Sequence, residues 1–295
     1  MRNTEYKKVL IFEIKGNSLD DGEGIRTVIF FKGCPLSCVW CHNPEGKSPK
    51  REISFDAQKC IACNTCIELC KNKAISRQNP FFIDRTKCDL CFECVDICPS
   101  EALSQLGRHM SIEEIYSIII KDKPFFDISK GGVTLSGGEP TLYPEFISSL
   151  LKKLKFENIN TLIETCGYFD FDMFKTLIYP YVDMIYFDIK LYDKDEHKQY
   201  CGISNKIILE NFVKLLSLNK DKIVPRVPLI PGITDTKSNL EAIDEFLRAN
   251  SLKTDSLKTD NLKTNKAQKA KRLPYNPLWR EKLPKIGVNR GQIFI

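Results

Sequence analysis

The chain has 295 residues, 42% of them hydrophobic and 10% aromatic, enough to bury one large α/β core with a smaller module beside it. A net charge of +6, much of it carried by one late segment, gives no nucleic-acid footprint. No apolar run approaches the ~20 residues of a membrane span and the N-terminal patch is broken by charges, so neither a membrane nor export is expected, and the expected location is the cytoplasm.

In chain order, TVIFFKGC is β-branched and aromatic and reads as a buried strand that delivers Cys34. It opens GCPLSCVWCHNPEG, where Cys34, Cys38 and Cys41 stand four and then three residues apart. An iron–sulfur cube has four irons, so three thiolates either borrow a fourth ligand or leave one iron open as a reaction centre. The chain holds 13 cysteines, whose spacings are those of metal ligands rather than disulfides, which implies a reducing compartment.

Next, CIACNTCIELC supplies Cys60, Cys63, Cys66 and Cys70, and CDLCFECVDICP supplies Cys88, Cys91, Cys94 and Cys98. Each run is C-x2-C-x2-C-x3-C, the spacing by which a tight loop and a helical turn wrap a [4Fe–4S] cube, and two such runs make a bacterial-type ferredoxin. The fourth cysteine of each run then crosses over. One cluster is expected on Cys60, Cys63, Cys66 and Cys98, and the other on Cys88, Cys91, Cys94 and Cys70. Zinc ribbons also use paired C-x2-C motifs, but two identical four-cysteine runs with apolar residues between the ligands favour clusters.

After the cysteine runs, SIEEIYSIIIKDKPFF has helical spacing, with Ser111 as N-cap and Glu114 three residues on. Strands and helices then alternate through GVTLSGGEP, PEFISSLLKKLKF, INTLIETCG, FDMFKTLIYPYV, MIYFDIK, ILENFVKLLSLN, KIVPRVPLIPG and KSNLEAIDEFLRA. Such alternation implies a parallel sheet, and polar residues at strand C-terminal ends favour a full or partial barrel. The expected division is the start of the core over 1–50, a ferredoxin insert over 51–106 and the rest of the core over 107–295. A polar quasi-repeat, SLKTDSLKTDNLKTN, marks a flexible insertion at about 251–271, where an apolar strand belongs, so the last strand is expected to be absent or displaced.

CxxxCxxC with Trp40 before its last cysteine resembles the signature of radical S-adenosylmethionine enzymes. More narrowly, DGEGIRTVIFFKGCPLSCVWCHNPEG, SGGEP, ETCGY, FDIK, RVPLIPG and LPYN, in that order from about Gly16 to Gly287, resemble the activating enzymes of glycyl radical enzymes, in their longer type with a two-cluster insert. The resemblance implies an α/β radical SAM partial (β/α) barrel with an inserted 2[4Fe–4S] ferredoxin domain. It also implies three [4Fe–4S] clusters, S-adenosylmethionine as co-substrate and a chain that is monomeric when free. Reductive cleavage of the co-substrate, with flavodoxin or ferredoxin as electron donor, gives a 5′-deoxyadenosyl radical that takes hydrogen from a glycine of a partner enzyme under anaerobic conditions.

Residue roles follow from the same resemblance. Cys34, Cys38 and Cys41 hold the open-iron cluster, while Trp40, Cys41 and His42 line the adenine pocket. Gly137 and Gly138 let backbone approach the methionyl amine, with Glu139 completing that region. Asp188 and Lys190, one strand face with Ile189 between them, meet the cofactor carboxylate and the incoming glycyl loop. Arg226 is a ribose or carboxylate contact, and Asn276 of LPYN stands where the short activases often carry His. Glu164, Thr165 and Asp188 resemble a monovalent cation site, and the loop of Asp21, Gly22, Gly24 and Arg26 is expected to face the partner's glycine hairpin.

Plainer readings stand beside these: a surface ion pair for Asp188 and Lys190, a rim salt bridge for Arg226, and a simple turn for the two glycines. His109 and His197 read as helix-surface or capping residues, and Cys166 and Cys201 as small apolar residues. Two other functions share part of the pattern: a radical enzyme acting on a small molecule, and a pure electron-transfer protein that has no use for a three-ligand site.

Overall fold

The structure, a computed structural model, describes residues 8–255 and 269–289. β1 (Val9–Ser18) runs antiparallel to β2 (Arg26–Phe31), with two breaks in register. The sequence reading starts the sheet at β2; β1 precedes it because Val9, Leu10 and Ile11 bury one end of a strand whose other half carries charges at a sheet margin.

β3 (Glu52–Phe55), α1 (Thr65–Leu69), α2 (Glu93–Asp96) and β4 (Leu103–Leu106) follow. β3 and β4 pair antiparallel as a separate two-stranded sheet, so this segment leaves and rejoins the core side by side. It has its own small core of Ile53, Ile75, Phe82, Ile83, Phe92 and Leu103, with Phe55 stacked on Phe82 at 4.0 Å between ring centres.

β5 (Arg108–Met110) returns to pair antiparallel with β1, and His109 lies exposed on this strand rather than on a helix. α3 (Ile112–Ile119) starts at the reciprocal Ser111 and Glu114 capping box that the sequence predicts. α4 (Lys123–Ser129) leads to β6 (Gly132–Gly137), α5 (Pro144–Phe156) and β7 (Asn160–Thr165). α6 (Phe171–Met173) runs on through π and 3-10 turns to Tyr181, then come β8 (Met184–Asp188), α7 (Lys194–Cys201), α8 (Lys206–Asn219) and β9 (Ile223–Pro228). α9 (Lys237–Asp255), β10 (Lys271–Leu273) and α10 (Trp279–Lys285) complete the order.

The eight-stranded sheet has the order β10-β9-β8-β7-β6-β2-β1-β5. From β2 to β10 every pairing is parallel, and only β1 and β5 run antiparallel at one margin. Among the described residues no pairing joins β10 to β5, so the sheet stays open, as a partial barrel does. Helices cover it through apolar stripes; α5 buries Phe146, Ile147, Leu150, Leu151 and Leu154 at helical spacing.

The expected loss of the last strand is corrected: β10 exists as three residues paired in parallel with β9. The first part of the quasi-repeat continues α9 as far as Asp255, and 256–268 lie outside the described residues. No helix among the described residues is long and apolar enough to cross a membrane.

Parallel registers bring Phe31 beside Gly137, Thr165 beside Phe187 and Asp188 beside Arg226. The C-terminal ends of β2, β6, β7, β8 and β9 therefore share one rim of the sheet, and Cys34 lies just past the first of them.

Candidate functional site

The three-cysteine loop is fastened on several sides. Gly33 N–H donates to Gly46 O at 2.8 Å, Cys34 N–H to Lys47 O at 3.1 Å, and Lys47 Nζ to Cys38 O at 2.9 Å. From the facing helix, Ser37 N–H donates to Cys201 O at 2.9 Å and Val39 N–H to Tyr200 O at 3.0 Å. Leu36 and Trp40 anchor the loop in the main core, the Trp40 indole lying 6.4 Å from the Tyr200 ring.

Cys34, Cys38 and Cys41 lie within electrostatic reach of one another. Burial, with the Cys38 and Cys34 sulfurs adding to it, pushes the Cys41 thiol up to about 12. Cys38 moves the other way, to about 7, because Cys201 hydrogen-bonds its sulfur and Lys190 and Lys47 stand close. Three soft donors grouped in a sheltered loop, with ammonium groups nearby, suit an iron–sulfur cluster. His42 follows with an exposed side chain, its carbonyl accepting from Lys282 Nζ at 3.2 Å.

The Gly-Gly pair crosses directly over this loop. Gly138 N–H donates to Phe31 O at 2.8 Å and Glu139 N–H to Gly33 O at 2.7 Å. A Cβ on Gly138 would lie 2.1 Å from Gly33 O and 2.5 Å from Gly46 O, so close backbone approach accounts for glycine there. Glu139 is fully buried: Oε1 accepts from Thr141 N–H at 3.2 Å, Thr141 Oγ1 at 2.8 Å and Thr165 Oγ1 at 2.9 Å, and Oε2 from Cys166 N–H at 2.7 Å. Its carboxylate ties the ends of β6 and β7 together.

Beside the loop lies a charged cluster that is internal rather than a surface ion pair. Asp188 accepts from Lys190 Nζ at 3.0 Å and from Arg226 Nε at 2.8 Å; Arg226 Nη1 also reaches Glu164, whose other oxygen accepts from Ser136 Oγ at 2.7 Å. Burial opposes charge on Asp188, but Arg226 and Lys190 outweigh it and hold the carboxyl below its usual range. Burial likewise opposes charge on Lys190, and Asp188 together with the sulfurs of Cys38, Cys166 and Cys201 holds the ammonium above its ordinary value. Lys190 thus connects the charged cluster to the cysteine loop.

Several expected residues stand elsewhere. Ile189 turns into the main core, opposite to Asp188 and Lys190, because side chains alternate along a strand; its N–H donates to Arg226 O at 2.8 Å. Asn276 is exposed and its Oδ1 accepts from Leu278 N–H at 3.0 Å, opening the turn into α10. Glu164, Thr165 and Asp188 do not converge on a point: Arg226 stands between the two carboxylates and Thr165 is bonded to Glu139.

Arg26 is corrected as a partner-facing residue. It is 1% exposed and donates to Thr134 Oγ1, Val133 O, Asn160 Oδ1 and Glu23 O, at the strand ends opposite the cysteine loop. His197 is buried rather than on the surface, its Nδ1 lying 2.7 Å from Ile203 O.

Sequence reasoning missed Lys32, which is fully buried with Nζ on Glu45 O at 2.6 Å and Glu52 at 2.8 Å. A lone charge at the end of the apolar run TVIFF was the available signal.

In the 51–106 segment the sulfurs fall into two groups. Cys66 stands in the field of Cys63, Cys98 and Cys60, whereas Cys94 feels Cys88 and Cys91 first and is pushed by burial up to about 12. A cavity is lined by Cys70, Cys88, Cys91 and Cys94 together with Ile53, Ile75 and Ile83.

Comparison with known proteins agrees with this geometry. The family model of the radical SAM superfamily matches residues 85–247, and that of a 4Fe–4S single cluster domain matches residues 20–81. The chain is 39% identical to the choline trimethylamine-lyase activating enzyme of Oleidesulfovibrio alaskensis over 82% of its own length and 79% of the relative. It is 36% identical to the isethionate sulfite-lyase activating enzyme of the same organism, over 82% of this chain and 81% of the relative. It is 38% identical to the trans-4-hydroxy-L-proline dehydratase activating enzyme of Clostridioides difficile, over 94% of this chain and 87% of the relative.

Proposed function

The chain belongs to the activating enzymes of glycyl radical enzymes, within the radical SAM superfamily, and from that premise we propose how its residues divide the work. Cys34, Cys38 and Cys41 would hold a [4Fe–4S] cluster, three thiolates for its four irons. When bound, this cluster and S-adenosylmethionine supply the one-electron cleavage whose radical product takes hydrogen from a glycine of the partner enzyme.

The chain's own groups bind, orient and exclude water. The observation that carries the reading is the seating of the three-cysteine loop over the strand ends with Lys190 beside it, already clamped by Asp188. Lys190 places a fixed positive charge where a carboxylate docks, and Asp188 and Arg226 keep it oriented. Gly137 and Gly138 present backbone next to the loop, His42 offers its exposed ring at the rim, and Trp40 acts from behind by fixing the loop.

Residues 51–106 are read as a ferredoxin insert within a core formed by 1–50 and 107–295, which brings the total to three clusters. Two observations support it: the cavity bordered by Cys70, Cys88, Cys91 and Cys94, and the grouping of Cys66 with Cys60, Cys63 and Cys98. Both follow the crossed partition, in which the fourth cysteine of each run serves the other cluster. Electrons arrive from flavodoxin or ferredoxin, and the free activase is a cytoplasmic monomer.

The relatives' names carry three different partner enzymes at 36% to 39% identity, so the partner is best found by trial. Anaerobically reconstituted protein is mixed with S-adenosylmethionine, reductant and glycyl radical enzymes of several classes, and the glycine-centred doublet is sought by electron paramagnetic resonance. A doublet with one class identifies the partner. Vigorous cofactor cleavage that never yields a doublet, but does modify a small molecule, would favour the small-molecule enzyme instead.

A further inference from the structure

The last helix among the described residues reaches back onto the outgoing arm of the three-cysteine loop. On α10, Trp279, Lys282 and Leu283 share one face, at positions i, i+3 and i+4. Trp279 and Leu283 are 2% and 4% exposed and join the main core, so apolar contacts seat the helix on either side of Lys282. Its ammonium donates to the Glu45 carboxylate at 2.7 Å and to the His42 carbonyl at 3.2 Å.

His42 directly follows Cys41, one peptide unit from a cluster ligand. The two ends of this arm are held by different elements. At the Glu45 end, Lys32 Nζ grips the backbone carbonyl at 2.6 Å, and Gly46 N–H donates to Asn43 O at 2.9 Å. At the His42 end the hydrogen bond to the backbone comes from Lys282, a residue 240 positions later in the chain. Lys285 on the same helix turns to the insert instead and pairs with Asp56 at 2.7 Å.

We propose that Lys282 is a positioning residue for S-adenosylmethionine: it fixes the arm from His42 to Glu45 in the shape that receives the co-substrate, and so acts on affinity rather than on cleavage. The inference rests on the reading of Cys34, Cys38 and Cys41 as cluster ligands and of His42 as part of the co-substrate pocket. An arm that is already held needs no ordering when the co-substrate arrives, so its conformational entropy is not lost again on binding. Loss of the hold weakens ground state and transition state alike, which raises KM and leaves kcat. The Lys282 side chain is 40% exposed, so solvent screens the contact and the effect is severalfold rather than complete.

The test is equilibrium dialysis of S-adenosylmethionine against anaerobically reconstituted protein, with iron content and cleavage kinetics measured on the same samples. Lys282→Met is expected to keep its full iron content, to bind severalfold more weakly with a matching rise in KM, and to retain the wild-type kcat. Lys282→Arg, which keeps the charge and the donors, should return the affinity toward wild type. Lys285→Met, which frees the same helix from the insert, should bind as wild type does. Because Lys282→Met leaves the largely buried Glu45 carboxylate without its cation, the change is repeated in a Glu45→Gln background and compared with Glu45→Gln alone, where no charge is stranded. Unchanged affinity in both backgrounds overturns the proposal. So does equal weakening by Lys285→Met, which would make the effect a loosening of the helix, and so does failure of arginine to restore binding. Loss of iron from Lys282→Met would assign the residue to the cluster instead and also overturns it. Wild-type protein with its full iron that binds no S-adenosylmethionine would instead overturn the reading of the site.

Discussion

Glu139 offers the sharpest division between a cofactor contact and an internal brace. The carboxylate is fully buried and accepts four hydrogen bonds, three on Oε1 and one on Oε2. In Glu139→Gln the amide oxygen can keep the three-donor side, which turns the NH2 against Cys166 N–H and sets donor against donor. The loss of one charge-assisted bond and the stranding of a buried N–H together cost about 3–5 kcal/mol. For a chain of this size that lowers the unfolding midpoint by roughly 5–8 °C. The assay is anaerobic thermal unfolding of the apo and reconstituted protein at one scan rate, alongside S-adenosylmethionine binding. An unchanged midpoint with lost binding would refute the brace and return Glu139 to the cofactor.

Four further outcomes follow from the same geometry. Gly138→Ala drives a Cβ into Gly33 O and Gly46 O, so reconstitution is expected to fill the insert clusters but not the three-cysteine site, read as about 8 rather than about 12 iron atoms per chain. Cys34→Ala abolishes S-adenosylmethionine cleavage, whereas Cys63→Ala removes one insert cluster and spares the catalytic signal; loss of that signal in Cys63→Ala would break the ligand partition. Glu52→Gln removes the counter-charge of the fully buried Lys32 ammonium and costs about 3–5 kcal/mol in urea unfolding, more than Lys32→Met, which leaves a partly hydrated carboxylate behind; equal costs would contradict a buried charge. Burial works against charge on Asp183, but hydrogen bonds from Lys155 and Thr161 hold its carboxyl below the usual value, so its stabilisation is complete above about pH 4 and is lost as pH falls through the lowered pKa. The urea midpoint of Asp183→Asn should accordingly fall less steeply with acid than that of the wild type.

Much of the fold was legible because its signals are local. Alternating strand and helix patterns gave the parallel run from β2 to β9, and the Ser111 capping box and the cysteine spacings were read directly. The antiparallel margin was not, since β1 and β5 are defined by pairing partners nearly a hundred residues apart in sequence rather than by their own patterns. At the site, Asp188 and Lys190 could be placed on one face from strand periodicity alone, but the same rule, applied to Ile189, should have turned it into the core. Cys166 and Cys201 are free thiols buried in the main core, as read from the sequence, whereas the partners of Glu139 were out of reach because they come from other elements. No spacing encodes the hydrogen bond by which Ser37 N–H of the loop reaches Cys201 O at 2.9 Å, far along the chain.

β3 and β4 lie side by side, so the cysteine-rich segment hangs from the core by two adjacent stalks, in the manner of a detachable cassette. Lys32 denies that separability. Its counter-charge, Glu52, belongs to the cassette, while its ammonium belongs to the host strand's end. A second rivet comes from α10, where Lys285 pairs with Asp56 of the cassette. A host that discarded the cassette would keep a buried ammonium without its counter-charge, held by the Glu45 carbonyl alone.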